Sequence, residues 1–457
     1  MNRLLRLFVY GVVLFFYANT IIIPDNGEAK TIDIASSPNL VGSGARALGM
    51  GCAFISIADD ATAASWNPAG LFQLKKPELS IVSDYTYLAE NNNYSSEPEA
   101  SGPQCISFST INYFSFALPF MVLNRNMALT LSYQNLFDFN RQWDYSLVEY
   151  EHTSQPRFVH VQYDQKGNLS AMGIALSIRN TDNFAFGITC NLWDDWFKND
   201  SWTQTTQEEI ESHINLGGEK IIYNYHFIDI SSYSVKGVNF NIGMLYRANN
   251  NLSLGFVLKT PFKASLEQKF ISRLFYNHEE TVGEKITHGH LHLPLHCGVG
   301  ISWRLSKQMV ISFDIFRTEW DDFVRELSGK EVSPISGLDI AQSDIDPTHQ
   351  VRMGFEYLLI FKKDRIVLPL RCGIFYDPAP EEKNPDDIYG FSLGTGLAFE
   401  KYCFDIAYQY RYGKNIRSSM YKYTDFSQTL NEHKVYFSLV YHFGQLKQHK
   451  QDNRIGL

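Results

Sequence analysis

The sequence predicts an all-β protein: a 14-stranded antiparallel transmembrane β-barrel of the outer-membrane type, with an N-terminal segment plugging its lumen. Three observations lead there. Short stretches alternate between large apolar residues and small or polar ones. The connections between them are tight and long by turns. A glycine-rich segment that fits neither pattern precedes them all.

Composition agrees. Charged residues make up 19% of the 457, against ~25% in soluble domains. Aromatic residues reach 14%, and membrane-interface girdles are a natural home for that excess. The net charge of −9, with no cluster of Lys and Arg along the sequence, excludes a general nucleic-acid binder.

The chain opens as an exported protein. Arg3 and Arg6 precede an apolar run from Leu7 to Tyr17, and Gly27-Glu28-Ala29 offers a small-x-small cleavage site, so residues 1–29 read as a signal peptide. The run falls short of the ~20 apolar residues of a membrane-spanning helix, and no later stretch approaches that length.

Residues 30–77 form the plug. They hold Gly42, Gly44, Gly49 and Gly51, too much glycine for a strand, and too little charge for a solvated tail. The spacing is not G-x-G-x-x-G and no Gly-Lys-Ser/Thr follows, so a nucleotide loop is excluded. In a narrow lumen, glycine lets backbones approach closely. Asp60 is expected to cap a short helix over 61–66, ended by Pro68; the other reading of Asp59-Asp60 is as cation ligands. Arg46 is expected to pair with a lumen carboxylate, the alternative being a substrate carboxylate. Asn67-Pro68-Ala69 closes the segment.

Residues 78–443 are a succession of two-periodic segments. In the last, Val435, Phe437, Leu439, Tyr441 and Phe443 alternate with Tyr436, Ser438, Val440 and His442. In the one before, Phe404, Ile406, Tyr408, Tyr410 and Tyr412 alternate with Cys403, Asp405, Ala407, Gln409 and Arg411. A large apolar face against a small or polar one is the lipid-out, lumen-in signature. A soluble sandwich would show Lys and Glu on its second face. The first seven segments are 78–89, 104–120, 126–139, 168–179, 184–198, 232–247 and 252–262. The other seven are 287–304, 309–320, 349–360, 365–377, 389–399, 402–412 and 433–443.

Tight connections fall at 121–125, 180–183, 248–251, 305–308, 361–364 and 400–401, and long polar loops at 140–167, 199–231, 263–286 and 321–348. This parity separates a periplasmic from an extracellular rim, and an even strand number puts both chain ends on the periplasmic side. Trp143, Trp193, Trp196, Trp202, Trp303 and Trp320 lie near strand ends or in loops, where the headgroup layer would suit them.

Other chemistry is weak. His288, His290, His292 and His296 share one strand parity. Alternate residues on a strand are ~7 Å apart, so one ion could take at most two of them; a polar lumen face is expected, with no metal and no other cofactor. The six cysteines (Cys52, Cys105, Cys190, Cys297, Cys372 and Cys403) stand far apart and read as small hydrophobes. Nothing in the sequence resembles a hydrolase, so no catalytic residue is assigned and the chain is read as a non-enzyme.

Gly-Ala-Arg-Ala-Leu-Gly-Met-Gly-Cys-Ala-Phe (44–54), Ala-Asp-Asp-Ala (58–61) and Asn-Pro-Ala-Gly-Leu (67–71) resemble the N-terminal hatch of the FadL/TodX family of outer-membrane transporters. The stretches 251–262, 298–304 and 312–320 resemble strands of the same family. The resemblance implies a 14-stranded barrel that takes up long-chain fatty acids or other hydrophobic compounds. It implies capture among extracellular loops, an apolar pocket, and a lateral gap opened by a hatch shift and a kink in the third strand. That strand, 126–139, contains neither Gly nor Pro, and the sequence names no pocket residue. The hatch motif is shared with barrels of secretion or surface attachment, so a barrel that binds protein partners is the alternative function. Outer-membrane lipid, lipopolysaccharide and the barrel assembly machinery are the other expected partners. A polar tail, 444–457, follows the last strand.

Overall fold

The computed structural model describes residues 42–444 apart from 96, 150–155, 195–200, 217–218, 277, 364 and 418–425. The expected signal peptide and the tail beyond Gly444 lie outside the described residues. Numbered in chain order, the strands are β1 (Glu78–Tyr94), β2 (Gly102–Val122), β3 (Arg125–Asp138), β4 (Arg141–Glu149), β5 (Arg157–Arg179), β6 (Phe184–Trp193) and β7 (Ser201–Leu216). There follow β8 (Glu219–Arg247), β9 (Leu252–Lys259), β10 (Phe262–Tyr276), β11 (Glu279–Leu293), β12 (His296–Arg304), β13 (Met309–Thr318), β14 (Val324–Leu327) and β15 (Lys330–Val332). The last five are β16 (Thr348–Phe361), β17 (Ile366–Tyr376), β18 (Ile388–Phe399), β19 (Tyr402–Ile416) and β20 (Phe426–His442).

Fourteen of these make a closed antiparallel wall, in the order β1, β2, β3, β5, β6, β8, β9, β12, β13, β16, β17, β18, β19, β20. Closure is made by β20 on β1, from Glu78 opposite His442 to Tyr94 opposite Phe426. Each of the fourteen predicted segments overlaps one of these strands, the eighth covering part of β11 as well. Side-chain alternation then sorts the wall into two faces. Leu131, Ile188, Ile301, Phe313, Leu393 and Phe437 point outward and are exposed, as lipid-facing residues must be. Ser80, Thr130, Ser177, Thr189, Ser312 and Ser392 are buried on the inside.

The structure departs from the sequence reading in four places. The connections expected at 140–167, 199–231 and 263–286 as long polar loops are mostly strand. β4 pairs with β5, β7 with β5 and β8, and β10 with β8 and β11, so the wall rises well beyond the bilayer. Their inward residues hold this extension together: Trp143, Leu147, Val159, Val161, Tyr163 and Ile210 are buried against one another. β8 alone is 29 residues long, where a transbilayer strand needs ~9–11.

The strand expected over 287–304 is broken between Leu293 and His296. Pro294 has no N–H to give the ladder. The break also reverses the inward parity: Leu291 and Leu293 are buried before it, and His296, Gly298 and Gly300 after it. His288, His290 and His292 therefore face outward, beside Glu267 and Glu326, and only His296 lies on the lumen side.

The tryptophans are not a girdle. Trp143, Trp193, Trp202 and Trp320 are buried inside the barrel. Three indole N–H groups find partners there: Trp143 on Glu90, Trp193 on Asn239 and Trp320 on Thr348. Trp303, 55% exposed, is the outward one among the described tryptophans other than Trp66, and Trp196 lies outside the described residues. Finally, Asp60 does not cap a helix. The helix is shorter, Ala63–Trp66, and the Asp60 carboxylate instead accepts from the Thr62 N–H and hydroxyl, closing a local turn before it.

Candidate functional site

The segment from Gly42 to Pro77 runs through the inside of the wall. It contains α1 (Ala45–Gly49), α2 (Ala63–Trp66) and a 3-10 helix over Pro68–Gln73. α1 packs on β17 to β20, and the 3-10 helix packs on β3, β5, β6 and β8. A run of this length ordinarily needs strands or long helices to satisfy its backbone groups. Here the barrel satisfies them. The Asp314 carboxylate accepts from the Phe54 and Ile55 N–H groups at 2.6 and 2.8 Å. Ser438 accepts from Ala45 N–H (2.7 Å) and Ser392 from Gly51 N–H (2.8 Å). Ser312, Tyr113 and Thr189 donate to the carbonyls of Ala53, Ala61 and Ala64.

The wall is hollowed to receive it. Gly187, Gly243, Gly255, Gly300, Gly354, Gly373 and Gly394 lie on the inward faces of β6, β8, β9, β12, β16, β17 and β18. A methyl group added at Gly255 would stand 2.7 Å from the Ile55 carbonyl oxygen, and one at Gly394 would stand 2.9 Å from the Gly49 Cα. At Gly187 and Gly243 it would collide with Asn67, Pro68 and Ala69. β13, lacking a glycine here, supplies Asp314 and Ser312 instead. One glycine per strand thus forms a groove around the lumen in which the segment's backbone sits. Its signal in the sequence is a glycine recurring on the inward parity of many strands, which emerges only when the strands are set side by side.

The expected residues fall into this arrangement. Gly42 lies flat against the Trp66 ring, Gly44 and Gly51 have positive φ (113° and 64°), and Gly49 meets Gly394. Asn67 donates to the carbonyls of Ile55 and Met244 and accepts from Ala69 N–H, fixing the start of the 3-10 helix at Pro68. Arg46 grips Glu356 with Nε and a terminal nitrogen (3.0 and 3.1 Å) and Asp59 with the other (2.5 Å); Asp60 is 3.7 Å away. Burial alone would lower the Arg46 pKa, but Asp59, Glu356 and Asp60 outweigh it and hold the pKa well above its ordinary value. Burial raises the Asp60 pKa, with Arg46 opposing.

Above this seat the lumen has two unlike sides. On β16 to β20 it is ionic. Arg371 joins Glu356 to Asp405 (2.7 and 2.6 Å), and Arg352, Asp377, Arg411, Glu432 and Lys434 continue as a chain of alternating charge. On β3 to β11 it is apolar. Phe137, Phe139, Leu169, Trp193, Trp202, Tyr233, Val235, Leu266, Leu291 and Leu293 form one cluster, closed by Trp320 and Phe323. Phe139, Trp202 and Tyr233 are stacked, with ring centroids 4.7 and 4.6 Å apart. At the foot of this side Lys259 faces inward, 5% exposed and opposite His296 on β12. It has no hydrogen bond or ion pair among the described residues. His296 uses Nδ1 on Thr318 and leaves Nε2 unpartnered.

The wall also has a seam. β2 pairs with β3 from Val122–Arg125 only as far as Tyr113–Gln134, whereas β1 follows β2 to Asn92–Gly102. Both edges bulge where the ladder stops. Asn112 is skipped in the register of β2 with β1, and Leu136 in that of β3 with β5. A bulge bends its strand and ends pairing, which is how a third strand without Gly or Pro can leave its neighbour. The seam is bridged near its top by Gln104, whose side-chain amide exchanges two hydrogen bonds with the Asp144 backbone (2.7 and 3.0 Å). From Gln104 to Tyr113 is ~30 Å along the strand. Phe137, of the apolar cluster, stands next to Leu136 at the seam's edge. At the extracellular rim a groove of about 690 Å³ is lined by Leu147, Phe158, Val159, Ile210, Tyr225 and Phe275 among others.

Comparison with known proteins places this geometry. Residues 34–435 match the family described as outer membrane protein transport protein (OMPP1/FadL/TodX). The fold is similar to the crystal structure of a Pseudomonas aeruginosa FadL homologue (TM-score 0.59, 13% identity, 90% of this chain and 100% of that one). It is also similar to that of the Pseudomonas putida toluene transporter TodX (TM-score 0.56, 14% identity, 89% and 100%). No curated protein matches the chain in sequence. The match over most of its length makes the chain a member of the FadL/TodX family of outer-membrane transport proteins, integral to the outer membrane through its fourteen-stranded barrel.

Proposed function

We propose that the protein takes up hydrophobic small molecules by passive diffusion, with the N-terminal segment as a hatch that blocks the axial route and the seam between β2 and β3 as a lateral exit. The observation that carries this reading is the meeting of two features at one place: the apolar cluster of the lumen reaches Phe137, and there the β2–β3 ladder ends. A solute entering at the rim groove, where Leu147, Val159 and Ile210 stand among Glu99, Glu209 and Glu211, next meets the apolar cluster that reaches that point. Each methylene removed from water contributes about 0.8 kcal/mol, so a long chain is held without specific contacts. Release sideways into the membrane avoids returning it to water, while the seated segment beneath keeps hydrophilic solutes out.

Among hydrophobic substrates we favour a long-chain fatty acid. Lys259 offers a buried ammonium with no carboxylate partner among the described residues, at the foot of the aromatic cluster. A neutral hydrocarbon would leave that charge unmatched, which is costly at such burial. The test is uptake by cells carrying variants of the protein. Deleting Leu136 restores the register of β3 with β5 and should abolish uptake while ligand binding persists. Lys259→Met should cut fatty-acid uptake and spare an alkane of equal length. Full uptake after deletion of Leu136 would refute lateral exit. An absence of any bound or transported apolar solute, together with co-purification of a protein partner, would favour the partner-binding alternative.

A further inference from the structure

Cations gather at the short-turn rim although the chain as a whole carries −9. Each of the six tight turns holds or adjoins one that is at least partly exposed: Arg125, Arg179, Arg247, Arg304, Lys363 and Lys401. Along the sequence they are dispersed, and only barrel closure brings them into a ring. Of three successive turns, the one joining β12 to β13 adds Lys307 and the one joining β16 to β17 adds Lys362 and Arg365, while the one joining β18 to β19 carries Lys401 beside Glu400. Among the described residues no carboxylate pairs with any cation of this arc, whereas Arg179 elsewhere on the ring is held by Asp182 at 2.8 Å.

The wall next to the arc has the character of a lipid interface. Trp303 precedes Arg304, Phe361 precedes Lys362, and Tyr402 follows Lys401; all three rings are exposed. The Trp303 and Tyr402 rings are amphipathic, and such rings settle at the headgroup level of a bilayer, which puts their cationic neighbours in the phosphate layer. Beside Trp303 lies a groove of about 470 Å³ lined by Asn249, Asn250, Asn251 and Leu252. Arg304 N–H donates to the Asn251 carbonyl at 2.7 Å and so ties the turn to the strand end. Asn249 spends its side chain inside the turn, accepting from Asn251 and Leu252 N–H groups. Asn250 and Asn251 are left at the mouth, with amides suited to hydroxyl groups.

We propose that this rim is a binding site for an anionic glycerophospholipid of the inner leaflet, such as phosphatidylglycerol. Its phosphate sits on Arg304 and Lys307, its polyol head in the asparagine groove, and its acyl chain along Leu252 and Trp303. Lys362, Lys363, Arg365 and Lys401 extend the same preference around the arc. A lipid fits better than a docked protein, because the cations recur between exposed rings at membrane depth and follow the barrel's circumference. A protein would engage one patch lying beyond the bilayer.

Reconstituted protein with spin-labelled phosphatidylglycerol or phosphatidylcholine tests this. Each cation near an anionic headgroup contributes about fivefold in partition, so phosphatidylglycerol should be preferred several-fold at low salt, and the preference should shrink at 0.5 M salt. Arg304→Gln with Lys307→Gln should bring the ratio near one, and Arg304→Lys should keep it. Heat-modifiable migration on SDS gels reports which variants are folded. The salt series needs no variant at all, so the proposal stays testable if the double substitution fails to fold. Equal binding of the two lipids by the wild type, or a preference indifferent to salt or to the double substitution, overturns the proposal. So does displacement by polyglutamate with no lipid preference, which would make the arc a protein-docking face.

Discussion

Gly187→Val probes the seat of the N-terminal segment directly. The new Cβ would lie 2.5 Å from the Pro68 carbonyl oxygen, and closer still to the Pro68 carbonyl carbon and the Ala69 nitrogen. All three are backbone atoms, so no rotamer change relieves the clash. Reaching an ordinary separation of ~3.5 Å requires the segment to move by roughly 1 Å. Such a shift stretches the Asn67–Met244 and Thr189–Ala64 hydrogen bonds, now 2.9 and 3.1 Å, past useful range. At about 1 kcal/mol for each bond and 1–3 kcal/mol for overpacking, the seat should weaken by about 3–5 kcal/mol. The wall should survive, since the inter-strand ladder of β6 with β5 and β8 does not use the glycine's side. The assay is conductance in planar bilayers, with hydrogen exchange at residues 67–69 and heat-modifiable gel migration as the fold control. We expect raised conductance and faster exchange in a folded barrel. Gly102→Val, which meets nothing within 4 Å, should behave as wild type. Wild-type conductance and exchange in Gly187→Val would refute the idea that inward glycines seat the segment.

Asp314→Ala removes the acceptor of two backbone N–H groups and should weaken the segment locally by about 2–4 kcal/mol, read as faster exchange at Phe54 and Ile55; Asp314→Asn should be milder. Arg46→Gln leaves Asp59 and Asp60 facing each other without their cation, and should loosen the segment by about 2–4 kcal/mol, seen as earlier proteolysis between Gly42 and Pro77. In the extracellular connection after β17, burial pushes the Glu381 pKa up to about 7, with the Glu382 N–H opposing. A raised carboxyl pKa means stabilisation that is complete below the ordinary value near 4.5 and lost as pH rises through about 7. Proteolysis of residues 377–387 should therefore be slower at pH 5.5 than at pH 8, and Glu381→Gln should remove the difference.

The wall was legible because its periodicity is a local property: a strand that meets lipid outside and a narrow lumen inside must alternate, residue by residue, whatever its neighbours do. The seat of the segment was half legible. Gly49 and Gly51 stood out as a cluster, but their partners Gly394 and Gly373 lie more than three hundred residues away, and only closure brings them together. Trp143 and Trp202 misled for a related reason. Their place near strand ends suggests headgroups, and it takes the continuation of those strands above the membrane to turn them inward. Pro294 was visible, yet its effect on parity, which sends His288, His290 and His292 outside, depends on how many residues the break absorbs. Lys259 and the seam carry no sequence signature. An unpaired charge and an unpaired strand edge are both defined by what is missing from across the lumen or across the wall.

β8 has a consequence for where uptake begins. Of its 29 residues, ~18 lie beyond the bilayer, and at the usual barrel tilt they lift the mouth roughly 45 Å above it. The outer leaflet is screened by saccharide, through which an apolar solute scarcely permeates. A wall that tall acts as a chimney. On the proposed function, cargo would enter from the medium above the sugar layer and leave below it, so that the barrier which protects the cell is bypassed by height.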